Sequence, residues 1–277
     1  MPYTLLLFTA IFCYLVATLL IARAVSVDRR IGEGEDHRQA SFRSAFITAG
    51  IAALVHIAYV LNTSQNDGAV NFSVSSMTTL VSAMLVSIYL LGCLAMPIKR
   101  LGILVFPLTA ASLLFSYFWR SEANYLHHYS DAFTAHILIS LLAYSLLTIA
   151  TIEALLYVYQ ERQIKNHTTS TMLLALPPLQ TMEILLFRLV DVSFVLLTLT
   201  LLSGALFSQQ IFGQPFEFKH HTVLAVLGWA VFAILLFKRY RSGLRGSEAV
   251  IWIIAGFLLI QLGYFGTKII AESLGLQ

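Results

Sequence analysis

Eight stretches of this sequence are long and apolar enough to cross a lipid bilayer as helices. They lie at about 3–24, 44–62, 75–96, 101–118, 134–160, 187–212, 220–237 and 249–271. A spanning helix needs about 20 apolar residues, because the bilayer core offers no water to bond the backbone. The pattern predicts an all-α polytopic transmembrane helix bundle, in which residues 1–277 form a single integral membrane domain.

The composition excludes an ordinary soluble protein. Charged residues make up 11% of the chain and hydrophobic residues 58%, whereas a soluble domain carries about 25% charged residues. We therefore expect the lipid bilayer as the main environment and no contact with nucleic acid. The two cysteines form no Cys-X-X-Cys motif, which excludes a thiol oxidoreductase or a c-type cytochrome.

The basic residues predict the orientation of the chain. Fourteen of the seventeen Lys and Arg residues lie in or beside alternate loops, after the first, third, fifth and seventh spans. Only Arg120, Lys219 and Lys268 lie on the opposite side. Because Lys and Arg are enriched in cytoplasmic loops, both termini are predicted to lie outside the cytoplasm.

Six of the eight histidines fall in the outer half of the predicted membrane or in an outer loop. Histidine is costly in hydrocarbon and usually faces the bundle interior with a partner. Neutral imidazole is also a common ligand of haem iron. The six are His56, His127, His128, His136, His220 and His221.

Two interpretations of this histidine layer remain open. His136 begins the fifth span and His220 the seventh, so the two imidazoles could hold one haem iron between helices. Alternatively, each imidazole caps its helix or forms a hydrogen bond at the membrane interface. Asp and Glu are scarce at this depth, which argues against the site of a zinc hydrolase.

The other half of the membrane contains fewer polar groups. Glu153 follows His136 by 17 residues, about 25 Å along a helix, so it is predicted to lie apart from the histidines. It is predicted to form a helix–helix hydrogen bond, to pair with a nearby arginine, or to belong to a proton or ion relay. Arg188 and Asp191 are three residues apart and are predicted to pair on one helix.

Four segments resemble a known family. They are "AHILISLLAYSLLTIATIEALLYVYQERQIK", "LPPLQTMEILLFRLVDVSFVLLTLTLLSGALF", "KHHTVLAVLGWAVFAILLFKRYRSGLRG" and "GFLLIQLGYFGTK". Together they resemble the YpjD/HemX-like branch of the cytochrome c assembly transmembrane family. The resemblance covers about 135–270 closely. The earlier spans match in number and in "LVHIAYVL" around His56.

The resemblance implies a multi-pass protein of the bacterial inner membrane, related to the haem-handling subunits of c-type cytochrome maturation. Haem b is the cofactor it suggests. His136 takes the position of a haem ligand, and His220 takes the position of a histidine at the mouth of the seventh span. His221 replaces a lysine of the relatives, and His56 matches a histidine of the second span as a supporting or alternative ligand.

The chain also departs from the family. Synthetase members carry a tryptophan-rich loop before the seventh span, but "SQQIFGQPFEFKHH" contains no tryptophan. Phe237 replaces a further histidine, and the chain ends "ESLGLQ" without the last one. These departures favour a haem-binding accessory protein, which itself makes and breaks no bond, over a haem ligase.

Two other functions remain open. The first is a regulatory or scaffolding protein of haem biosynthesis without its own haem, which acts through the cytoplasmic segment "PPLQTMEILLFR". A regulatory protein of this kind is expected to bind haem-biosynthesis proteins. A haem-binding accessory protein is expected to bind cytochrome-assembly proteins. The second is a transporter that uses Glu153, Asp191 and Lys268 as relay groups.

Overall fold

The computed structural model describes residues 2–26, 34–63, 65–66, 69–96, 98–119, 125–126, 131–167, 176–209 and 220–274. Within these residues, eight helices are long and apolar enough to cross a membrane. This confirms the all-α class and the predicted number of spans. The side of the membrane on which the termini lie stays a prediction.

The chain divides into two compact units. The first unit contains Met1–Tyr125 and Tyr159–Leu179, and the second contains Leu126–Val158 and Gln180–Gln277. The single integral membrane domain stays a prediction.

The first unit is built on four helices. They are α1 (Pro2–Ser26), α2 (Gly34–Thr63), α3 (Val74–Ala95) and α4 (Gly102–Phe118). Two short strands, β1 (Gln65–Asn66) and β2 (Ala69–Asn71), pair antiparallel between α2 and α3. A third, β3, covers Tyr125–Leu126. One 3₁₀ turn, Lys99–Leu101, precedes α4.

Small side chains let α1 approach α2 closely. On α1, Ala10 and Ala17 are fully buried, and on α2 the same holds for Ala45, Ala49 and Ala52. Their spacing of three, four or seven residues places each set on one face of its helix. Membrane helices associate through such small residues, because lipid provides no hydrophobic force to join them.

The second helix begins earlier than the apolar run indicates. The sequence predicts a span from 44, but α2 begins at Gly34. Hydropathy marks only the part of a helix that fits the bilayer, and "GEDHRQASFR" contains several good helix formers. The helix therefore continues beyond its apolar part. In α4, Pro107 lies inside the helix.

The second unit contains the remaining long helices. They are α5 (Asp131–Lys165, whose last turns belong to the first unit), α6 (Leu179–Leu206), α7 (His220–Ser242) and α8 (Ser247–Gln261). A π-helical turn, Leu262–Gly266, joins α8 to a short α9 (Thr267–Ser273). The sequence predicts the sixth span from 187, but α6 already begins at Leu179, so the residues before the predicted span belong to the same continuous helix.

Three glycines bring α7 and the last span together. A Cβ atom added to Gly228 would lie 2.6 Å from Ile260 Cγ1, and one on Gly256 would lie 2.7 Å from the Phe232 ring. A Cβ on Gly263 would lie 3.2 Å from the carbonyl oxygen of His221. At Gly228 and Gly256 a neighbouring side chain would have to move to admit a Cβ atom, and at Gly263 the contact is tight, so the glycines permit this close packing.

The π turn has its own hydrogen bonds. The Thr267 N–H donates to the Leu262 carbonyl, five residues earlier, and Thr267 Oγ1 donates to the Gly263 carbonyl at 2.7 Å. From α5, the Tyr144 hydroxyl donates to the Ile260 carbonyl at 3.1 Å. π turns occur often at functional sites. No sequence pattern predicts the π turn found here.

Large apolar side chains cover much of the surface in both units. Leu5, Leu94 and Ile251 are each more than half exposed, at 71%, 85% and 67%. A soluble monomer rarely exposes large contiguous apolar patches. The exposed side chains therefore fit the hydrocarbon of a bilayer.

Candidate functional site

His136 is anchored to a neighbouring helix. It lies in the second turn of α5, half-buried, and its Nδ1 atom is 2.8 Å from Ser203 Oγ near the end of α6. A Cβ atom added to Gly204 would lie 3.3 Å from His136 Cε1. The serine and the glycine thus hold the imidazole against α6 inside the second unit.

His220 and His221 form the first turn of α7, and both are exposed. The carbonyl of His221 lies over Gly263 in the π turn. Trp229 Nε1 donates to Thr198 Oγ1 at 2.9 Å, which joins the first half of α7 to the second half of α6. Because α6 and α7 run in opposite directions, the start of α7 lies at the same end of the unit as His136.

This end of the second unit contains three of the four predicted site histidines, His136, His220 and His221. His136 and His220 come from different helices, as predicted from the sequence. Ligation of one iron by these two residues stays a prediction. The role of His221 as a further haem-binding residue also stays a prediction.

Aromatic side chains lie between α5 and the last span. The ring centroids of Tyr144 and Tyr264 are 5.8 Å apart, and those of Tyr144 and Phe265 are 6.2 Å apart. Gln261, just before the π turn, has a buried Oε1 atom without a hydrogen-bond partner among the described residues. The second unit thus contains flat apolar ring surfaces and, beside them, a buried amide oxygen that can accept a hydrogen bond.

His56 lies in the first unit and is fully buried, with 0% exposure. Its Nδ1 is 3.3 Å from the Tyr14 hydroxyl, and its Nε2 has no hydrogen-bond partner among the described residues. The backbone of Thr79 lies beside the ring. Its carbonyl accepts a bond from Ser82 Oγ at 3.0 Å and keeps a second lone pair.

The Tyr14 contact indicates which nitrogen of His56 carries the proton. Within the described part of the chain, the Tyr14 hydroxyl has no other hydrogen-bond partner. A buried phenol donates its hydrogen where an acceptor is present, so Nδ1 accepts and Nε2 carries the hydrogen. His56 then suits the supporting role, as an N–H donor, better than the role of an iron ligand.

The residues of the second unit fit a haem. Haem iron is held by one or two axial side chains, commonly histidine. A ligating histidine typically bonds its other nitrogen to a neighbouring polar group, and His136 Nδ1 lies 2.8 Å from Ser203 Oγ. Among the described residues, no three or more His, Cys, Asp or Glu side chains are grouped to hold a metal ion.

Several predicted residues lie elsewhere. His127, His128 and the loop at 210–219 are outside the described residues, and so is the side chain of His37. Glu153 is buried on α5, 2% exposed, at 17 residues from His136. Its role as a relay stays a prediction.

The predicted pair of Arg188 and Asp191 is wrong. Both Asp191 oxygens accept from the Tyr240 hydroxyl on α7, at 2.8 and 2.9 Å. Arg188 is exposed, without an ion-pair partner in the described part of the chain. Sequence spacing identifies neighbours on one helix, but here the adjacent helix provides the partner.

A second polar network joins α6 to the end of α7. Arg239 Nη1 donates to Glu183 Oε1 at 2.7 Å and to the Leu244 carbonyl at 3.0 Å. The same guanidinium lies 4.2 Å from the centroid of the Phe187 ring. This network fixes the first turns of α6, at the end opposite the histidines.

Comparisons with known proteins agree along most of the chain. A family model described as "Cytochrome C assembly protein" matches residues 40–274. The inner membrane protein YpjD of Escherichia coli (strain K12) is 29% identical over 264 residues, which cover 91% of this chain and 96% of YpjD.

Two shorter matches point the same way. Protein HemX of Brevibacillus brevis is 23% identical over 137 residues, or 50% of each chain. The cytochrome c biogenesis protein CcsA of Acorus calamus var. americanus is 30% identical over 95 residues, 34% of this chain and 30% of CcsA. No solved structure matches the chain.

Proposed function

The chain belongs to the cytochrome c assembly protein family, and from this premise we propose that it binds haem b and assists haem handling or cytochrome maturation. It is a multi-pass protein of the bacterial inner membrane. The proposed site is the end of the second unit where α5 and α7 begin, near the face of the inner membrane that is turned away from the cytoplasm.

One observation carries the proposal: the half-buried imidazole of His136 is held through Nδ1 by Ser203 on a second helix. A histidine that only caps its own helix needs no such partner. A metal-ligating histidine does, because the bond fixes its ring orientation.

Each residue of the site has a limited task. His136 and His220 would hold the haem iron, with His221 as an alternative at the exposed start of α7. A bound haem supplies a redox-active iron. The aromatic rings of Tyr144, Tyr264 and Phe265 provide apolar surface between the helices. In this proposal the protein holds and presents the cofactor and has no catalytic residue of its own.

Absorbance of the purified protein tests this function. Produced with ample haem, the full chain is expected to show a Soret band, which the His136→Ala/His220→Ala double variant loses. His167→Ala is the matched control, since His167 is exposed and follows the opposite end of α5. Wild-type protein without a Soret band, or a band unchanged in the double variant, contradicts the proposal.

A second function is favoured by the network around Arg239. It fixes the first turns of α6, where Gln180, Thr181 and Ile184 are exposed, so this segment suits a docking surface for a soluble haem-biosynthesis protein. Crosslinkers placed at Gln180 or Thr181 are then expected to capture such a protein. Unchanged haem output after Gln180→Ala/Thr181→Ala/Ile184→Ala would argue against the scaffolding role.

A further inference from the structure

We propose that Ser203 is a positioning residue, which holds His136 in the tautomer required of a metal ligand; this inference rests on the proposed haem function. A neutral imidazole carries its proton on one nitrogen, and only the other nitrogen can ligate a metal. The hydrogen bond made by one nitrogen decides the state of the other. The partner of His136 Nδ1 therefore determines which atom faces an iron.

The contacts of Ser203 define the direction of this bond. Its Oγ lies 3.0 Å from the carbonyl of Thr200, to which it donates, and 2.8 Å from His136 Nδ1. A serine hydroxyl has a single hydrogen and two lone pairs. Because that hydrogen is directed to Thr200, the oxygen accepts from His136. Nδ1 is then protonated, and the lone pair lies on Nε2.

Gly204 supports the same arrangement. The ring carbon Cε1, which lies between the two nitrogens, is 3.3 Å from the position of an added Cβ on Gly204. A larger side chain would press on Cε1 and turn the ring away from Ser203. The Ser203-Gly204 pair thus provides both the acceptor and the space for one ring orientation.

A nearby serine offers a matched control. Ser140 Oγ donates to the backbone carbonyl of His136 at 2.7 Å, on the same helix. Replacing Ser140 by alanine removes a hydroxyl of the same size close to His136. It leaves Ser203 and the imidazole bond intact.

The first test measures the tautomer in haem-free protein. The full chain is labelled with ¹⁵N-histidine, and the His136 signals are identified by their absence in His136→Gln. We expect a protonated Nδ1 and an unprotonated Nε2 in wild type and in Ser140→Ala, and a mixture of tautomers in Ser203→Ala. A His136 protonated at Nε2 in wild type overturns the inference, whether or not the protein takes up haem.

The second test measures haem titration by absorbance. Loss of a partner that orients a metal ligand reduces metal affinity by about 10- to 100-fold, and we expect a loss in this range for Ser203→Ala. Ser203→Thr, which keeps the hydroxyl, is expected to restore affinity, and Ser140→Ala to match wild type. Equal affinity of Ser203→Ala and wild type overturns the inference. Wild-type protein that binds no haem contradicts the proposed function instead, and the tautomer measurement still decides the role of Ser203.

Discussion

At the residue scale, the histidines of this chain differ in what their surroundings allow. His136 has its Nδ1 near a hydroxyl that donates elsewhere, whereas His56 has its Nδ1 near a phenol whose hydrogen has no other acceptor among the described residues. Under the proposed function, the same side chain would serve as a ligand in one place and as an N–H donor in the other. Residue type alone does not distinguish the two.

The Tyr14 bond to His56 leads to a stability prediction. Tyr14→Phe removes a hydrogen bond from a fully buried pair, and such a loss costs about 1–2 kcal/mol. We expect a lower unfolding midpoint in detergent. Tyr117→Phe is the control, because the Tyr117 hydroxyl has no hydrogen-bond partner in the described part of the chain. Equal midpoints for both variants would show that the bond contributes nothing.

At the element scale, sequence predicts the helices better than their contacts. The predicted number of eight spans is confirmed, because a bilayer demands long apolar helices whatever their packing. Ser203 is 67 residues from His136, so no local pattern joins them. The only sequence feature that could have indicated this contact is the pair of small residues Ser203-Gly204 within an aliphatic run. Local sequence does not predict the π turn either, since its surroundings include close packing at Gly263 and a hydroxyl from Tyr144 on another helix.

The contact between α7 and the last span leaves little room for larger side chains. A methyl group on Gly228 would meet Ile260 Cγ1 at 2.6 Å and the Gly256 carbonyl oxygen at 3.2 Å. The carbonyl belongs to backbone, so the helices must separate. We expect Gly228→Ala to lower the unfolding free energy by about 2 kcal/mol, a typical cost of overpacking. Thermal unfolding of the purified protein measures the change.

Gly50 in α2 supplies the comparison. No atom lies within 4 Å of a Cβ added there, so Gly50→Ala is expected to stabilise the protein by about 1 kcal/mol through helix propensity. Opposite signs for the two substitutions are the expected result. A stabilising Gly228→Ala would mean that the close approach of α7 to the last span is absent.

At the scale of the whole molecule, orientation in the membrane decides what the site can serve. The histidine end of the second unit contains the starts of α5 and α7, which the positive-inside rule places outside the cytoplasm. The opposite end contains Arg239 and its network. Haem held at the first end would be available to partners outside, and a docking surface on α6 would be available to partners inside. The two proposed functions therefore use opposite faces of one protein.

Reporter fusions test this orientation. Alkaline phosphatase needs disulfides, which form outside the cytoplasm but not within it. We expect a fusion after Gln277 to be active and an insertion within 168–175, after α5, to be inactive, because fourteen of seventeen basic residues lie on the side of that loop. A green fluorescent protein at the same two positions should give the inverse pattern. Activity after α5 with none at Gln277 would invert the topology, and the histidines would then face the cytoplasm, where they could not serve cytochromes that mature outside.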